Sequence, residues 1–242
     1  MTKILTVIFV FFGTIAFGQV VKVDTLRLAE SEYFKDIQSD KINFPVVRSG
    51  DKRIDSLINR DLKNRFAGNE NMIENVDSAL SKWIADQIEF LDFKVTYNEK
   101  GILSINISAE GCAAYCTSWT DYFNYSTVNG RFLMISDIID NLGQFNKKVI
   151  LDRNLQYDNQ LNELKVLAND PSMEIDETRY NWAKDEYSKC QQNFEIESFA
   201  IYPDYLEIID DCHLPNAIKN LTPIIELKYY FTDIKDNLKI KN

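Results

Sequence analysis

The hydrophobic pattern of the chain changes period several times, and this limits the folds open to it. Apolar spacings of three and four over 51–91 predict helices, whereas alternation over 93–107 predicts strands. Helical spacing returns over 144–189, and short strand patterns follow over 194–227. Because helices and strands come in blocks, the pattern predicts an α+β fold with an antiparallel β-sheet packed against several helices.

The clearest strand signal is a β-hairpin. Apolar and polar residues alternate over 93–97 and 103–107, and 98–101 favours a turn. Asn129-Gly130 predicts a second, two-residue hairpin turn. Further strands are expected over 20–28, 42–47, 194–196, 205–209 and 224–227, with Pro45 favouring a place at a sheet edge or end.

Helices are predicted in both halves of the chain. Asp51 is placed to cap the first, which carries Ile54, Leu57, Ile58 and Leu62 at helical spacing. The other predicted helices cover 76–91, 144–167 and 177–189, and 229–238 favours a final helical turn.

The first residues predict a secretory signal peptide over 1–18. Lys3 precedes an apolar run over 4–12, and Ala16 and Gly18 are small residues before the expected cleavage site. The run is shorter than the roughly 20 apolar residues of a spanning helix, which favours cleavage over a membrane anchor. We therefore expect one domain over 19–242, in the periplasm or outside the cell.

Four cysteines in an exported chain predict two disulfides. Three pairings are open. The close spacing of Cys112 and Cys116 permits a local bridge, which would leave Cys190 to pair with Cys212. A zinc site built from the cysteines and His213 is the alternative, but structural zinc prefers two tight ligand pairs, which this spacing lacks.

Charge and motifs exclude several function classes. The chain has 27 Lys and Arg against 37 Asp and Glu, a net charge of −10, so nucleic acid is not an expected partner. No calcium loop, phosphate loop or nucleophile elbow is present, and no cofactor or metal is expected. His213 is the only histidine, and Cys212 is a poor partner for it, because neighbours on an extended chain face opposite sides. We therefore assign no catalytic residue.

Aromatic residues offer the best candidate binding surface. They are dense beside the first cysteine pair, where Tyr115, Trp119 and Tyr122 could contact a protein or a glycan if they are exposed. The alternative is that these rings belong to the core, where aromatic residues on strands commonly pack. Residues 229–231 form a second aromatic cluster.

The order of these pieces resembles an uncharacterised family of exported domains of unknown function, the RsiV-like family. The family is typified by the lysozyme-binding ectodomain of an anti-sigma factor and by the accessory region of the peptidoglycan deacetylase PdaC. The resemblance covers about 42–238 and lies in the segments 44–46, 93–98, 101–105, 122–125, 129–130, 135–139, 194–196 and 221–225. It implies an antiparallel sheet packed by helices, as the periodicity does.

The resemblance implies a binding role in the cell envelope. Lysozyme and peptidoglycan are the first candidate ligands, and the acidic charge suits a basic protein such as lysozyme. The chain lacks a sigma-binding segment, a retained membrane helix and a deacetylase domain, so we expect neither anti-sigma activity nor deacetylation. Two other functions stay open: a glycan hydrolase that uses paired carboxylates, and a structural accessory protein of the envelope.

Overall fold

The computed structural model describes residues 20–27, 41–66, 88–112, 116–169, 175–192, 194–210 and 212–239. The predicted signal peptide lies outside these residues. The described elements are, in order, β1 (Lys22–Arg27), β2 (Asn43–Arg48), α1 (Lys52–Phe66), β3 (Ile88–Glu99), β4 (Ile102–Cys112), β5 (Cys116–Ser126), α2 (Ile135–Ile138), α3 (Leu142–Ala168), α4 (Glu177–Gln191), β6 (Phe199–Ile201), β7 (Tyr205–Ile208) and β8 (Leu227–Tyr230).

The strands form antiparallel sheets, which confirms the predicted α+β class. β1 pairs with β2, the central sheet has the order β3-β4-β5, and the third sheet has the order β6-β7-β8. Short 3₁₀ helices at Asn216–Leu221 and Lys235–Asn237 complete the described elements.

The first core lies between the central sheet, α1 and the β1-β2 pair. Ile58 and Leu62 of α1 are fully buried against Phe44 of β2 and Ile105 of β4. Burying a side chain of this size contributes about 1.5–3 kcal/mol, so this layer is a main source of stability for the first half of the fold.

The start of α1 follows from the predicted cap. Asp51 Oδ1 accepts hydrogen bonds from the backbone amides of Arg53 and Ile54, at 2.8 and 3.3 Å. The helix is tied to β2 by Asn59, whose side chain accepts from the amide of Val47 at 2.8 Å and donates to its carbonyl at 3.0 Å. The predicted first helix is therefore confirmed. The Asn59 side chain also provides hydrogen-bond partners for the amide and the carbonyl of Val47 in β2.

The central hairpin is also confirmed. Lys100 and Gly101 connect β3 to β4 with φ values of 51° and 79°. A two-residue turn of this kind needs positive φ at both positions, which glycine adopts without strain. The turn therefore sets the register that places Tyr97 opposite Ser104, and a register shift between Val95 and Tyr97 then places Val95 opposite Ile105.

The predicted helix over 76–91 is wrong at its end. Residues 76–87 lie outside the described part of the chain, but Ile88 and Leu91 belong to β3. A register shift between Ile88 and Phe90 places Ile88 opposite Gly111 and Leu91 opposite Ala109, two residues apart on β4. The bulge thus brings two apolar residues three positions apart onto one face, which imitates helical spacing.

The turn at Asn129-Gly130 is not a two-residue hairpin. A four-residue connection, 127–130, joins Ser126 to Arg131, whose carbonyl accepts from the Ser126 amide at 2.8 Å. Beyond it, only a single bridge pairs Phe132 with Tyr125 before the chain enters α2. Glycine is required at 130, because its φ is 76° and a Cβ there would lie 3.0 Å from Leu57 Cβ.

The C-terminal third differs most from the prediction. Residues 194–196 and 224–226 lie outside the ladders, and β8 covers Leu227–Tyr230, so the start of the predicted 229–238 helix is strand. Helical geometry in that segment is confined to Lys235–Asn237. β6 was not predicted, because Phe199–Ile201 is too short to show an alternation.

Both long helices and both disulfides are confirmed. α3 and α4 match the predicted segments 144–167 and 177–189. The disulfides are Cys112–Cys116 and Cys190–Cys212, the latter joining the end of α4 to the segment after β7. In the described part of the chain, no helix is both long and apolar enough to cross a membrane.

A buried ion pair joins α3 to the same segment. Arg153 donates to Asp210 Oδ1 from Nε at 3.0 Å and from Nη2 at 2.9 Å, and both side chains are 2–3% exposed. Tyr157 donates to Asp210 Oδ2 at 2.6 Å. Arg153 Nη2 also donates to the carbonyl of Cys190 at 2.5 Å, so the ion pair and the disulfide form one network.

The third sheet meets the central sheet through β6. The amide of Ile201 donates to Ser104 Oγ at 3.2 Å, and Asn124 Nδ2 donates to the carbonyl of Phe199 at 2.8 Å. β6 is an edge strand, so these groups lie on the side that has no strand neighbour in its sheet. Ser104 and Asn124 are buried polar residues of the central sheet. Their burial is explained by their hydrogen bonds to the edge of β6, since buried polar groups need partners.

We expect Ser104→Ala to destabilise the protein by about 1–3 kcal/mol, because it leaves the buried Ile201 amide without its acceptor. Ser118→Ala is the matched control: it removes a hydroxyl of the same sheet whose bond to Glu110 is exposed, and should change stability by about 0.5 kcal/mol or less. Urea unfolding measures both. Equal stabilities for the two variants would contradict the proposed role of Ser104.

Candidate functional site

The two faces of the central sheet differ in composition. One face carries Ile105, Ile107 and Phe123 into the first core. The opposite face is polar, and we call its uncovered part the open face. Its residues, which alternate with the core positions along the three strands, are Phe90, Asp92, Lys94, Asn106, Ser108, Glu110, Ser118, Thr120 and Tyr122.

β6 determines where the open face begins. It covers the sheet around Ser104 and Asn124, which are 0% and 1% exposed. Towards the Cys112–Cys116 end, Phe90 is 38% exposed and Asp92 is also exposed. The sheet therefore has a covered half beside the first hairpin turn and an open half beside the disulfide.

Cross-strand hydrogen bonds order the polar groups of the open face. Ser108 and Thr120 share a hydroxyl hydrogen bond of 2.9 Å, and Ser118 donates to Glu110 at 3.0 Å. These groups still meet solvent, since Ser118 is exposed and the others are half-buried. Such side chains can exchange water for ligand hydroxyl or amide groups at low cost.

A row of tyrosines continues the open face onto the third sheet. Tyr202 stacks on Tyr205 with ring centroids 4.4 Å apart and planes 12° apart, and Tyr230 lies 5.8 Å beyond Tyr205. We call these three residues the tyrosine row. Asn106 Nδ2 donates to Tyr202 Oη at 3.5 Å, which joins the row to the open face.

The backbone explains why the row forms. Pro203 lies between Tyr202 and Tyr205, in a tight connection where the Tyr202 amide donates to the Tyr205 carbonyl at 2.9 Å. Proline presets the backbone for such a turn. Tyr205 then pairs with Tyr230 across the β7-β8 ladder, so both rings stand on the outer face of the third sheet.

Two phenols of the row, Tyr202 and Tyr205, have raised pKa values. Burial, together with Glu207, raises the pKa of Tyr202 to about 12. Burial and Glu207 also raise the pKa of Tyr205. Both hydroxyls are therefore protonated at physiological pH and are available as donors and acceptors. Glu207 itself pairs across the ladder with Lys228, with 4.0 Å between Oε1 and Nζ.

Two of the predicted binding residues, Trp119 and Tyr122, lie on opposite faces of the central sheet. Tyr115 lies outside the described residues. Trp119 is 37% exposed but pairs with Ala109 on the face of the first core. Tyr122 pairs with Asn106 on the open face, because residues three apart on a regular strand point to opposite faces.

The tyrosine row was missed because its members are far apart in sequence. Only Tyr230 stood in a recognised aromatic cluster, and its neighbour Tyr229 is 5% exposed, packing on Phe145 at 5.1 Å. The available signal was the Tyr-Pro-Asp-Tyr segment 202–205, a turn sequence with an aromatic residue at each end.

The thiol and imidazole candidates have other environments. Glu110, Cys112 and Cys116 place possible ligand atoms within 4.8 Å of one another, but both sulfurs are in a disulfide and cannot act as thiolate ligands. His213 is exposed beside Cys212, which is buried and oxidised. The described residues thus offer no cysteine thiolate for a zinc site or for nucleophilic attack.

Two solved structures have a similar fold. A DUF3298 family protein from Pseudomonas aeruginosa PAO1 is 16% identical, with a TM-score of 0.51 over 90% of this chain and 95% of that chain. A member of the DUF3298 family from Bacteroides fragilis NCTC 9343 is 13% identical, with a TM-score of 0.53 over 92% of this chain and 95% of that chain.

These likenesses show the fold alone. No family model matches the sequence, and no curated protein matches it. The similar structures are domains of unknown function, which agrees with the predicted class of uncharacterised domain. The more specific RsiV-like resemblance is not confirmed by them.

The raised pKa of Tyr202 predicts an alkaline loss of stability. An unfolded tyrosine titrates near pH 10, whereas folded Tyr202 titrates at about 12. Its contribution is thus fully present below about pH 10 and is lost as the pH rises towards 12. We expect Tyr202→Phe to lose less stability than the wild type over this interval in urea unfolding. Parallel pH profiles would contradict the assignment.

Proposed function

We propose that this chain is an exported, non-enzymatic domain of the cell envelope that binds a protein or a glycan. Its binding surface is the open face together with the tyrosine row. One observation carries the proposal: a row of two half-buried tyrosine rings and one exposed ring adjoins solvent-accessible hydrogen-bonding side chains, through the contact of Asn106 with Tyr202.

The composition of this surface suits recognition. Tyrosines supply a large, rigid contact area at low cost in conformational entropy, and their hydroxyls add hydrogen bonds. Tyr230 is 52% exposed and lies at the end of the row. Ser108, Thr120 and Glu110 on the open face supply polar groups for hydroxyls or amides of a ligand.

Two considerations support the envelope as the place of action. Disulfides such as Cys112–Cys116 and Cys190–Cys212 persist in oxidising compartments. The signal-peptide pattern over 1–18 directs the chain to such a compartment.

Lysozyme and peptidoglycan are the first candidate ligands. A net charge of −10 attracts a strongly basic protein such as lysozyme over long range. The mixture of tyrosine rings and small polar side chains suits the hydroxyl and amide groups of peptidoglycan. The RsiV-like resemblance supports both ligands.

The carboxyl groups with shifted pKa values lie away from the proposed surface. A glycosidase needs an acid whose pKa is raised, opposite a second carboxylate. The shifted carboxyl groups among the described residues have lowered pKa values: Asp24 beside Lys22, Asp137 beside Arg131 and Glu186 beside Lys189. None of these three lies on the proposed surface.

The tyrosine row gives the sharpest test. We expect Tyr205→Ser/Tyr230→Ser to weaken binding of lysozyme or of soluble peptidoglycan fragments at least tenfold, which corresponds to about 1.4 kcal/mol. Trp182→Ser is the matched control, because Trp182 is 40% exposed on α4, away from this surface. Calorimetry at moderate and high salt measures the affinities.

The outcomes separate the candidate functions. Binding that survives high salt and is lost only in the tyrosine variant supports the proposal. Heat that vanishes with salt reports only non-specific attraction between opposite charges and would contradict it. Absence of binding to both ligands would favour a structural accessory role, and release of reducing sugars from peptidoglycan would favour the hydrolase.

A further inference from the structure

A polar cavity lies apart from the proposed binding surface. It has a volume of about 230 Å³ and is bounded by the Cys190–Cys212 disulfide, α3 and the extended segment before β6. A water molecule occupies about 30 Å³ in the liquid, so the cavity has room for a small molecule. Besides the ion pair of Arg153 and Asp210, the polar and aromatic residues around it are Gln192, Phe194, Glu195, Glu197 and Ser198.

Arg153 is held rigidly in the wall of this cavity. Its Nε and Nη2 donate to Asp210, and Nη2 also donates to the carbonyl of Cys190. Its guanidinium carbon lies 4.7 Å from the ring centre of Tyr157 and 4.4 Å from that of Phe194. Nη2 also donates to Tyr157 Oη at 3.4 Å, so four hydrogen bonds and two aromatic rings fix the plane of the guanidinium.

The third nitrogen of the Arg153 guanidinium, Nη1, differs from the other two in its hydrogen bonding. Nη1 of Arg153 is buried and has no hydrogen-bond partner among the residues that the structure describes. Leaving a buried donor unpaired costs about 1–3 kcal/mol, and more when the group is charged. Buried polar groups nearly always have a protein or solvent partner. Because Arg153 lines the cavity, we take an acceptor oxygen of a ligand there as the partner for this donor.

The charges around the cavity restrict that acceptor. Asp210 already neutralises Arg153, with 2.9 Å between Oδ1 and Nη2. Glu195 and Glu197 are exposed at the cavity and make its surroundings acidic. A simple anion would be repelled there, whereas a ligand that carries a cation as well as an acceptor oxygen matches both features.

We propose that this cavity binds an α-amino-acyl group, in which an ammonium lies beside a carbonyl or carboxylate oxygen. The oxygen accepts from Nη1 of Arg153, and the ammonium faces Glu195 and Glu197. The same group occurs at the N-terminus of a peptide and in a free amino acid. The aliphatic wall supplied by Ile209 accommodates a small side chain.

Calorimetry on the oxidised protein with small probes tests this proposal. Alaninamide and alanine carry both groups, whereas acetamide carries only the acceptor and methylamine only the cation. We expect saturable binding of alaninamide or alanine, at least tenfold tighter than binding of either single-group probe. Preference for alaninamide would point to a peptide N-terminus, and preference for alanine to a free amino acid.

Variants at the exposed acids test the site without disturbing the buried ion pair. Glu195→Gln/Glu197→Gln should weaken alaninamide binding at least tenfold. Glu163→Gln, an exposed acid on α3 outside the cavity, should leave it unchanged. Arg153→Lys should abolish binding, and its unfolding curve shows whether the fold is retained.

Three results would overturn the proposal. They are absence of binding at millimolar concentrations of alaninamide and alanine, equal binding of acetamide, and full binding by the glutamine double variant. The first would mean that only solvent occupies the cavity. The proposed envelope ligand uses a different surface, so its binding to the Tyr205→Ser/Tyr230→Ser variant is a separate result.

Discussion

The edge of β6 that has no strand neighbour is the constraint on which the candidate site depends. An edge strand presents unpaired amides and carbonyls, and burying them without partners is costly. Here Ser104 and Asn124, side chains from the face of the central sheet, supply the missing partners. Because the edge of β6 is bonded to the central sheet, β7 and β8 extend away from the central sheet. They place Tyr205 and Tyr230 at the border of the open face.

The same contact explains why one face of the sheet is divided. Around Ser104 the polar face is covered. The Ser104 hydroxyl also accepts from the Thr96 hydroxyl at 3.0 Å, so these two hydroxyls and the Ile201 amide form one buried hydrogen-bonded group. Farther along the strands, Ser108 and Thr120 bond only across the ladder and stay accessible. The polar face of the central sheet thus packs against β6 at one end and is available for ligand binding at the other.

The C-terminal half relies on a different device. Arg153 and Asp210 are removed from water, which is costly unless the charges are paired and further bonded. Tyr157 and the Cys190 carbonyl provide those additional bonds. The Cys190–Cys212 disulfide closes the same region covalently, so α3, α4 and the chain after β7 are held together by one polar network and one covalent bond. We place the proposed small-ligand cavity against this rigid region.

Local signals in the sequence sufficed for elements whose stability is local. The cap at Asp51, the turn at Gly101 and the apolar stripe of α3 each depend on neighbouring residues, and all three were predicted. Of the three open cysteine pairings, the structure has the one with a local Cys112–Cys116 bridge, which the close spacing of these two residues permits. The fold class followed from the arrangement of these elements in blocks.

Features set by distant residues could not be predicted in this way. The bulge near Phe90 makes a strand imitate helical spacing. β6 has three residues and depends on side chains almost a hundred positions away, such as Ser104. Tyr230 joins Tyr202 in the tyrosine row only because the β7-β8 register places Tyr230 opposite Tyr205. The pairing of the strands likewise determines that Trp119 and Tyr122 lie on opposite faces of the central sheet.

Native-state hydrogen exchange at the amide of Ile201 tests the central claim most directly. If Ser104 Oγ accepts from this amide in the folded protein, Ile201 should exchange as slowly as Ile105 in the middle of the central sheet. Exchange of the Ile201 amide at the rate of an unfolded peptide would show that the edge of β6 is free. The tyrosine row would then lose the contact that places it beside the open face.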